Sequence, residues 1–192
     1  PWQKVSLKKP LWQLELNGDQ ATNIEMRTGQ NGALFARLIA DGIPEVGDET
    51  PMATGLSIKV NYLDENDKKL NPSKLPQGTD FKVEVTVTNT GKMNYSELAL
   101  NQIFPSGWEI HNSRLSGSST TAQADYIDIR DDRIYTFFGL NKGQSKTFKV
   151  LLNASYLGRY YLPSVSVAAM YDQSVQARVV GQWAEVQQPK EE

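Results

Sequence analysis

Apolar and polar residues alternate along much of the chain with a period of two residues. The clearest run is 81–88, where Phe81, Val83, Val85 and Val87 occupy every second position. Residues 56–62 and 165–169 alternate in the same way, and turn-forming Gly, Pro, Asn and Asp separate the runs at a spacing of roughly 8–12 residues. No stretch has the period of an amphipathic helix. The pattern therefore predicts an all-β fold of the antiparallel sandwich type.

A change of composition predicts two modules. Residues 44–55 are rich in Pro, Gly and acidic residues, as linkers are, and we place the linker itself at 51–55. Residues 1–50 before it are predicted to form a small β-meander of three strands, which is near the minimum for independent stability. Residues 56–188 after it carry the short alternating strands of the predicted sandwich.

Composition excludes several classes of function. The 192-residue chain has 20 basic and 22 acidic residues and no long basic stripe, which argues against nucleic acid as a partner. Its apolar runs are too short to span a membrane. It has no Cys and one His, which excludes disulfides and thiol chemistry. Because it begins at Pro1 and not at Met, we expect an excised piece or a processed product.

No arrangement of residues predicts catalysis. His111 has no Gly-x-Ser-x-Gly nucleophile turn to serve, and the Ser/Thr residues of 116–121 are typical of a loop. Arg130 and Arg133 interleave with four aspartates, which favours ion pairs and low carboxyl pKa values over a poised acid. The aspartates are Asp125, Asp128, Asp131 and Asp132. We therefore expect no enzyme and no cofactor.

A possible calcium loop begins at Asp64, because Asn66 and Asp67 also offer oxygen ligands. Lys68 and Lys69 follow, however, and the Gly and Glu that such a loop needs at its later positions are missing. The sequence therefore predicts a solvated hairpin turn here and no metal site.

The most distinctive stretch is 156–183, which is dense in Tyr, β-branched and small residues. Its alternation ends at Met170 and Tyr171, which a turn-prone Asp172-Gln173-Ser174 follows. A thioether beside an aromatic ring at a strand end suits covering an apolar surface. The other interpretation is that both side chains close the core of their own domain, as most Met and aromatic residues do.

Several segments resemble the C-terminal macroglobulin-type domain of bacterial α2-macroglobulins. The matching pieces are Ile129–Phe138, Gly158–Pro163, Ala169–Asp172 and the lead-in Leu100–Glu109. Upstream, Asn31–Leu38 and Gly42–Pro44 are similar to the segment that follows the thioester domain of that family. The resemblance implies an immunoglobulin-like, macroglobulin-type sandwich, and it implies that residues 1–50 complete a domain flanking the thioester domain.

In that family, an attacking protease cuts a bait region, and the rearranged molecule traps the protease through a Cys-Gln thioester. This chain has no Cys, so the resemblance implies that any thioester lies in a preceding domain of the parent protein. The implied role is non-catalytic: the domain packs on the thioester domain and keeps water away from it. We expect Met170 and Tyr171, with Tyr160 or Tyr161, to face that domain.

The resemblance also implies partners and a place in the cell. The partners are the thioester domain of the parent and, through the parent, its target proteases. The location is the bacterial cell envelope, in the periplasm or on a lipid anchor elsewhere in the parent. One alternative function is an immunoglobulin-like structural or adhesion module of an envelope protein. Another is a carbohydrate-binding sandwich, which would need a coplanar strip of exposed aromatics; Trp2, Trp12, Trp108 and Trp183 are too scattered to predict one.

Overall fold

The computed structural model divides the chain into two compact units, Pro1–Gly42 and Ile43–Glu192. It describes residues 49–111 and 124–189, together with Glu25, Arg27 and Phe35. In the first unit, the Arg27 guanidinium pairs with the Glu25 carboxylate at 2.7 Å. The meander predicted within residues 1–50 and the Ser/Thr-rich loop 116–121 lie outside the described residues.

The described part of the second unit is built of β-strands and their connections. In chain order they are β1 (Met52–Thr54), β2 (Leu56–Leu63), β3 (Lys74–Pro76), β4 (Asp80–Asn89), β5 (Tyr95–Ile103), β6 (Trp108–Ile110), β7 (Tyr126–Ile129), β8 (Arg133–Leu140), β9 (Ser145–Ala154), β10 (Gly158–Leu162), β11 (Val165–Ala169), β12 (Gln176–Val179) and β13 (Gln182–Gln187). The all-β prediction is confirmed. Within the described residues there is no helix long and apolar enough to cross a membrane.

The strands form three sheets. A six-stranded sheet has the order β1-β12-β11-β5-β8-β7, a four-stranded sheet has the order β2-β4-β9-β6, and a three-stranded sheet has the order β10-β13-β3. The pairing is antiparallel except between β13 and β3. The chain passes from the small sheet to the large one through only two residues, Pro163 and Ser164, which join β10 to β11.

The core lies between the two larger sheets, because alternate residues of their strands point inward. Phe81, Val83, Val85 and Val87 of β4 are all buried, as their spacing predicts. Phe138 of β8 meets Phe148 of β9 with ring centroids 4.7 Å apart. At one end of the core, the buried ring of Trp108 meets the edges of Phe81 and Tyr62. The predicted alternation thus corresponds to inward and outward faces of real strands.

Two short segments that carry no alternating pattern of their own are strands in the structure. Residues 52–54, inside the predicted linker 51–55, form β1 and pair with Arg178, Ala177 and Gln176 of β12. Residues 74–76 form β3, which tolerates Pro76 because it lies at the edge of its sheet. In both cases, pairing with a neighbour satisfies backbone groups of a segment with little hydrophobic pattern of its own. The boundaries predicted for the two modules stay a prediction.

Candidate functional site

The candidate site is the connection between β11 and β12, residues 170–174, which we call the 170–174 tip. In β11, Val165 and Val167 are buried, so the strand is anchored in the core up to Ala169. Directly after it, Met170 is 51% exposed and Tyr171 is 82% exposed. The two side chains that the sequence places at the end of the alternation therefore face solvent in this unit and do not close its core.

Hydrogen bonds shape the tip on its β12 side. The Ala169 N–H donates to the Val175 carbonyl at 2.9 Å, and the Val175 N–H donates to the Asp172 carbonyl at 3.0 Å. The Val175 side chain is buried and ties the returning strand to the core. On the other side, the Met170 N–H donates to the Glu97 carbonyl of β5 at 3.0 Å. The tip is thus a closed hairpin loop held from both neighbouring strands.

Asp172 caps the turn from within. Its Oδ1 accepts hydrogen bonds from the Ser174 hydroxyl at 2.6 Å and from the Ser174 N–H at 3.0 Å. This is the local side-chain-to-backbone bonding that makes Asp and Ser common in turns. Both bonds favour the ionised carboxylate, so they lower the pKa of Asp172, the hydroxyl bond contributing most. The turn predicted at residues 172–174 is confirmed, and it leaves Met170 and Tyr171 at its start.

Tyr160 is held by contacts within its own domain. Its half-buried ring packs against the core and lies over Gly107, where an added Cβ would be 2.2 Å from the ring atom Cε2. Its hydroxyl donates to the Leu157 carbonyl at 2.9 Å. Contacts with its own domain thus account for both the ring and the hydroxyl.

Tyr161 points to the opposite face of β10, because neighbouring residues of a strand alternate in direction. It lies beside its Cα partner Trp183 of β13, with ring centroids 5.6 Å apart and planes inclined by 73°. Its hydroxyl donates to the Glu49 carboxylate. The Arg159 guanidinium stacks over Trp183 at 4.4 Å. The inclined rings do not make the coplanar platform that a carbohydrate-binding sandwich needs, and Trp108 is buried.

The structure therefore separates the four predicted site residues into two pairs. Tyr160 and Tyr161 precede the start of β11 and belong to the three-stranded sheet, whereas Met170 and Tyr171 follow the end of β11. A five-residue extended strand, about 13–16 Å long, lies between the pairs. Of these two pairs, only Met170 and Tyr171 are both exposed, whereas Tyr160 and Tyr161 are half-buried. Contact of any of the four residues with another domain stays a prediction.

The other chemical candidates have ordinary partners. Asp128 pairs with Arg130 at 3.1 Å and Asp132 pairs with Arg133 at 2.6 Å, so the predicted ion pairing is confirmed. The hydrogen bond from Arg133 lowers the pKa of the Asp132 carboxyl below its ordinary value, which is the direction that the sequence predicts for this cluster. His111 faces the Asp80 carboxylate at 3.3 Å.

The segment that begins at Asp64, which the sequence predicts to be a solvated hairpin turn, is a hairpin turn in the structure. Asp64 Oδ1 accepts the N–H groups of Asn66 and Lys68, each at 2.9 Å. This carboxylate oxygen therefore serves the backbone of its own turn, which is the solvated hairpin that the sequence predicts.

Comparison with known proteins adds the family. Residues 55–174 match the family model of the bacterial alpha-2-macroglobulin MG10 domain. The alpha-2-macroglobulin of Rickettsia conorii is 27% identical over 157 residues, which are 78% of this chain and 8% of that protein. The Yersinia pestis homolog is 27% identical over 154 residues, which are 68% of this chain and 8% of that protein. The chain thus spans only 8% of the length of these curated relatives.

Solved structures show the same fold. Salmonella alpha-2-macroglobulin reacted with methylamine matches with a TM-score of 0.66 and 28% identity, over 77% of this chain and 10% of that chain. Native Escherichia coli alpha-2-macroglobulin, spanning domain MG7 to the C-terminus, matches with a TM-score of 0.69 and 22% identity, over 77% of this chain and 25% of that chain. Since the family model covers well over half of the sequence, the chain belongs to the bacterial alpha-2-macroglobulin family.

Proposed function

We propose that this chain is a non-catalytic β-domain region of a broad-spectrum protease trap, and that its 170–174 tip shields a reactive thioester in another domain of the parent protein. The observation that carries the proposal is the exposure of Met170 and Tyr171, 51% and 82%, on a hydrogen-bonded turn. Two neighbouring apolar side chains held at a strand end are suited to contact with a partner surface.

The chemistry of a thioester explains why such a contact would be useful. An activated acyl group survives only while water and amines are kept from it, and a close apolar cover achieves this by desolvation. A tyrosine ring supplies a broad, stiff surface, and a methionine side chain adapts to fill the gaps beside it. The turn centred on Asp172 and Ser174 would present both side chains with little loss of conformational freedom on docking.

Family membership supports the proposal from a second direction. The Salmonella relative has been described after reaction with methylamine, a small amine of the kind that attacks an activated acyl group. Carried over to this chain, the parent would hold the thioester outside these 192 residues, since the chain contains no Cys. The proposal includes a position in the cell envelope, with proteases meeting the parent there and residues 1–50 completing a neighbouring β-domain.

Within this proposal, Tyr160 and Tyr161 have a lesser role than Met170 and Tyr171. Tyr160 is engaged with Gly107 and the core. Tyr161 is engaged with Trp183 and Glu49. We propose that they stabilise the small sheet that leads into β11, and that the contact with the thioester domain is made by the tip.

Methylamine uptake by the full-length parent tests the shielding role. We expect the untreated parent to take up methylamine slowly, as followed by intact mass, and Tyr171→Ala to accelerate uptake by about tenfold, which corresponds to about 1.4 kcal/mol of lost protection. Tyr126→Ala is the matched control, because Tyr126 is also an exposed tyrosine, 63%, but lies on β7 at the edge of the six-stranded sheet. Equal rates for both variants and the parent would overturn the shielding role. A parent that takes up no methylamine even after denaturation would remove the thioester from the proposal.

A trapping assay tests the role of the parent. After the parent is mixed with a protease, we expect cleavage of a large protein substrate to be suppressed while cleavage of a small peptide continues, because a caged protease admits only small substrates. Equal cleavage of both substrates, with and without the parent, would instead favour the structural or adhesion module.

A further inference from the structure

The strand beside the tip contains a β-bulge. Tyr95 of β5 is opposite Leu140 of β8, and Leu98 is opposite Phe138, so three steps along β5 match two steps along β8. One residue of β5 is therefore extra. Such bulges bend a strand, change the direction of its side chains and are common next to functional sites.

Glu97 is the residue of the bulge with an unusual backbone. Its φ is +56°, in the left-handed region, which costs a residue with a Cβ about 1–2 kcal/mol relative to the ordinary conformations. Gly139 lies opposite on β8, and a Cβ there would be only 3.3 Å from the Tyr95 carbonyl oxygen. Because Gly139 has no side chain, the backbone of the bulge can pass close to β8 at this point.

The consequence of this conformation reaches the tip. On the β11 side, β5 stays in register up to the pair Ala169 and Leu98. The next step is the hydrogen bond from the Met170 N–H to the Glu97 carbonyl, at 3.0 Å. The bulge shifts the register toward β8 while the Glu97 carbonyl continues the pairing toward β11. The bond to the Glu97 carbonyl therefore extends the pairing of β11 with β5 by one residue, to Met170, the first residue of the tip.

We propose that Glu97 is a positioning residue for the 170–174 tip: its left-handed backbone holds the Met170 N–H, and through it the direction in which Met170 and Tyr171 project. This inference rests on the proposed shielding function for its purpose, but the backbone relationship itself is testable without it. The Glu97 side chain is exposed, so the role belongs to its main chain.

Three substitutions separate the main chain of Glu97 from its side chain. Glu97→Gly adopts positive φ without strain, and Glu97→Gln keeps the size and removes the charge. Glu97→Val opposes positive φ, because a β-branched residue is a true outlier there. Glu97→Thr, also β-branched but polar, replaces the Val variant if that one does not fold.

The first readout is amide hydrogen exchange of Met170 in the 192-residue chain. We expect the Met170 amide of the Gly and Gln variants to exchange within about twofold of its rate in the unsubstituted 192-residue chain. In the Val or Thr variant it should exchange about tenfold faster, because the bond to the carbonyl of residue 97 is lost. Unchanged exchange in a folded β-branched variant would overturn the inference. So would acceleration of about tenfold in the folded Gly variant.

The second readout is methylamine uptake by the full-length parent carrying the same substitutions. We expect uptake to rise in the β-branched variant and to stay unchanged in the Gly and Gln variants. If Tyr171→Ala accelerates uptake but the β-branched variant does not, the positioning role fails and the shielding role stands. If Tyr171→Ala has no effect, the shielding role fails, and the exchange of the Met170 amide still decides the backbone relationship.

Discussion

The ring of Tyr160 lies against the backbone of Gly107, and a Cβ added at Gly107 would be 2.2 Å from the ring atom Cε2. Other ring carbons follow at 2.6 and 2.9 Å, so no small rotation of the ring would make room. The hydroxyl of the same ring is fixed by its bond to the Leu157 carbonyl. The contact joins the turn between β5 and β6 to the three-stranded sheet.

Gly107→Ala should therefore destabilise the domain by about 2–3 kcal/mol, because the ring must leave its place. Urea denaturation measures the loss. In a Tyr160→Ala background the same change should cost under about 1 kcal/mol, since the obstructing ring is gone. Gly78→Ala is the control: nothing lies within 4 Å of the added Cβ, and its cost is the strain of φ +81° alone. Equal losses from Gly107→Ala in both backgrounds would refute the proposed contact.

Replacing the two neighbouring phenylalanines of β8 by alanine should lower the free energy of unfolding by clearly different amounts. Phe138→Ala should cost about 3–5 kcal/mol, because it removes a fully buried ring that meets Phe148 across the core. Phe137→Ala should cost roughly 1–2 kcal/mol, since that half-buried ring lies on the outer face beside Tyr126. Thermal or urea unfolding compares the two variants. Similar losses, or a larger loss from Phe137→Ala, would contradict the assignment of the inner and outer faces of β8.

The tip should respond to acid through Asp172. Its pKa in the folded state lies below the ordinary value because Ser174 donates two hydrogen bonds to the carboxylate. The stabilisation is therefore fully present above the unfolded-state pKa and is lost as the pH falls through the folded-state pKa. We expect an NMR titration of the Asp172 carboxyl carbon to show the depressed midpoint, and Ser174→Ala to raise it toward the ordinary value.

Ser106→Ala is the matched control for this titration, because Ser106 is an exposed serine in the turn between β5 and β6. It should leave the Asp172 midpoint unchanged. A midpoint that does not move in the Ser174 variant would show that the bond from the Ser174 hydroxyl does not lower the pKa of Asp172.

The long strands could be predicted from sequence because each carries its own evidence. In β4, four alternate apolar residues from Phe81 to Val87 are all buried, and the pattern needs no knowledge of the neighbouring strands. β1 and β3 have only three residues each, and they exist because β12 and β13 offer them hydrogen-bonding partners. Such partners are set by the tertiary fold, so a local pattern does not reveal them.

The candidate site could be predicted only in part, because a local pattern gives the position of its residues but not their tertiary surroundings. Met170 and Tyr171 stand where the alternation of β11 stops, but that break left open whether they close the core, and only the structure shows them exposed. Grouping Tyr160 and Tyr161 with them followed their closeness in sequence, but these two side chains point to opposite faces of another sheet. Glu97 has no signal in the sequence, since glutamate is not a residue that favours positive φ.

The two-residue junction of Pro163 and Ser164 has a mechanical consequence. A pull on the small sheet would travel along the backbone straight into β11, which is paired at four positions with β12 and at four with β5. These pairs lie side by side along the direction of such a load, so they would share it and yield together or not at all. Tension that arrives at Tyr161 would in this way pass into β12 and β5 before it reached Met170, so the 170–174 tip would be insulated from a pull on the small sheet.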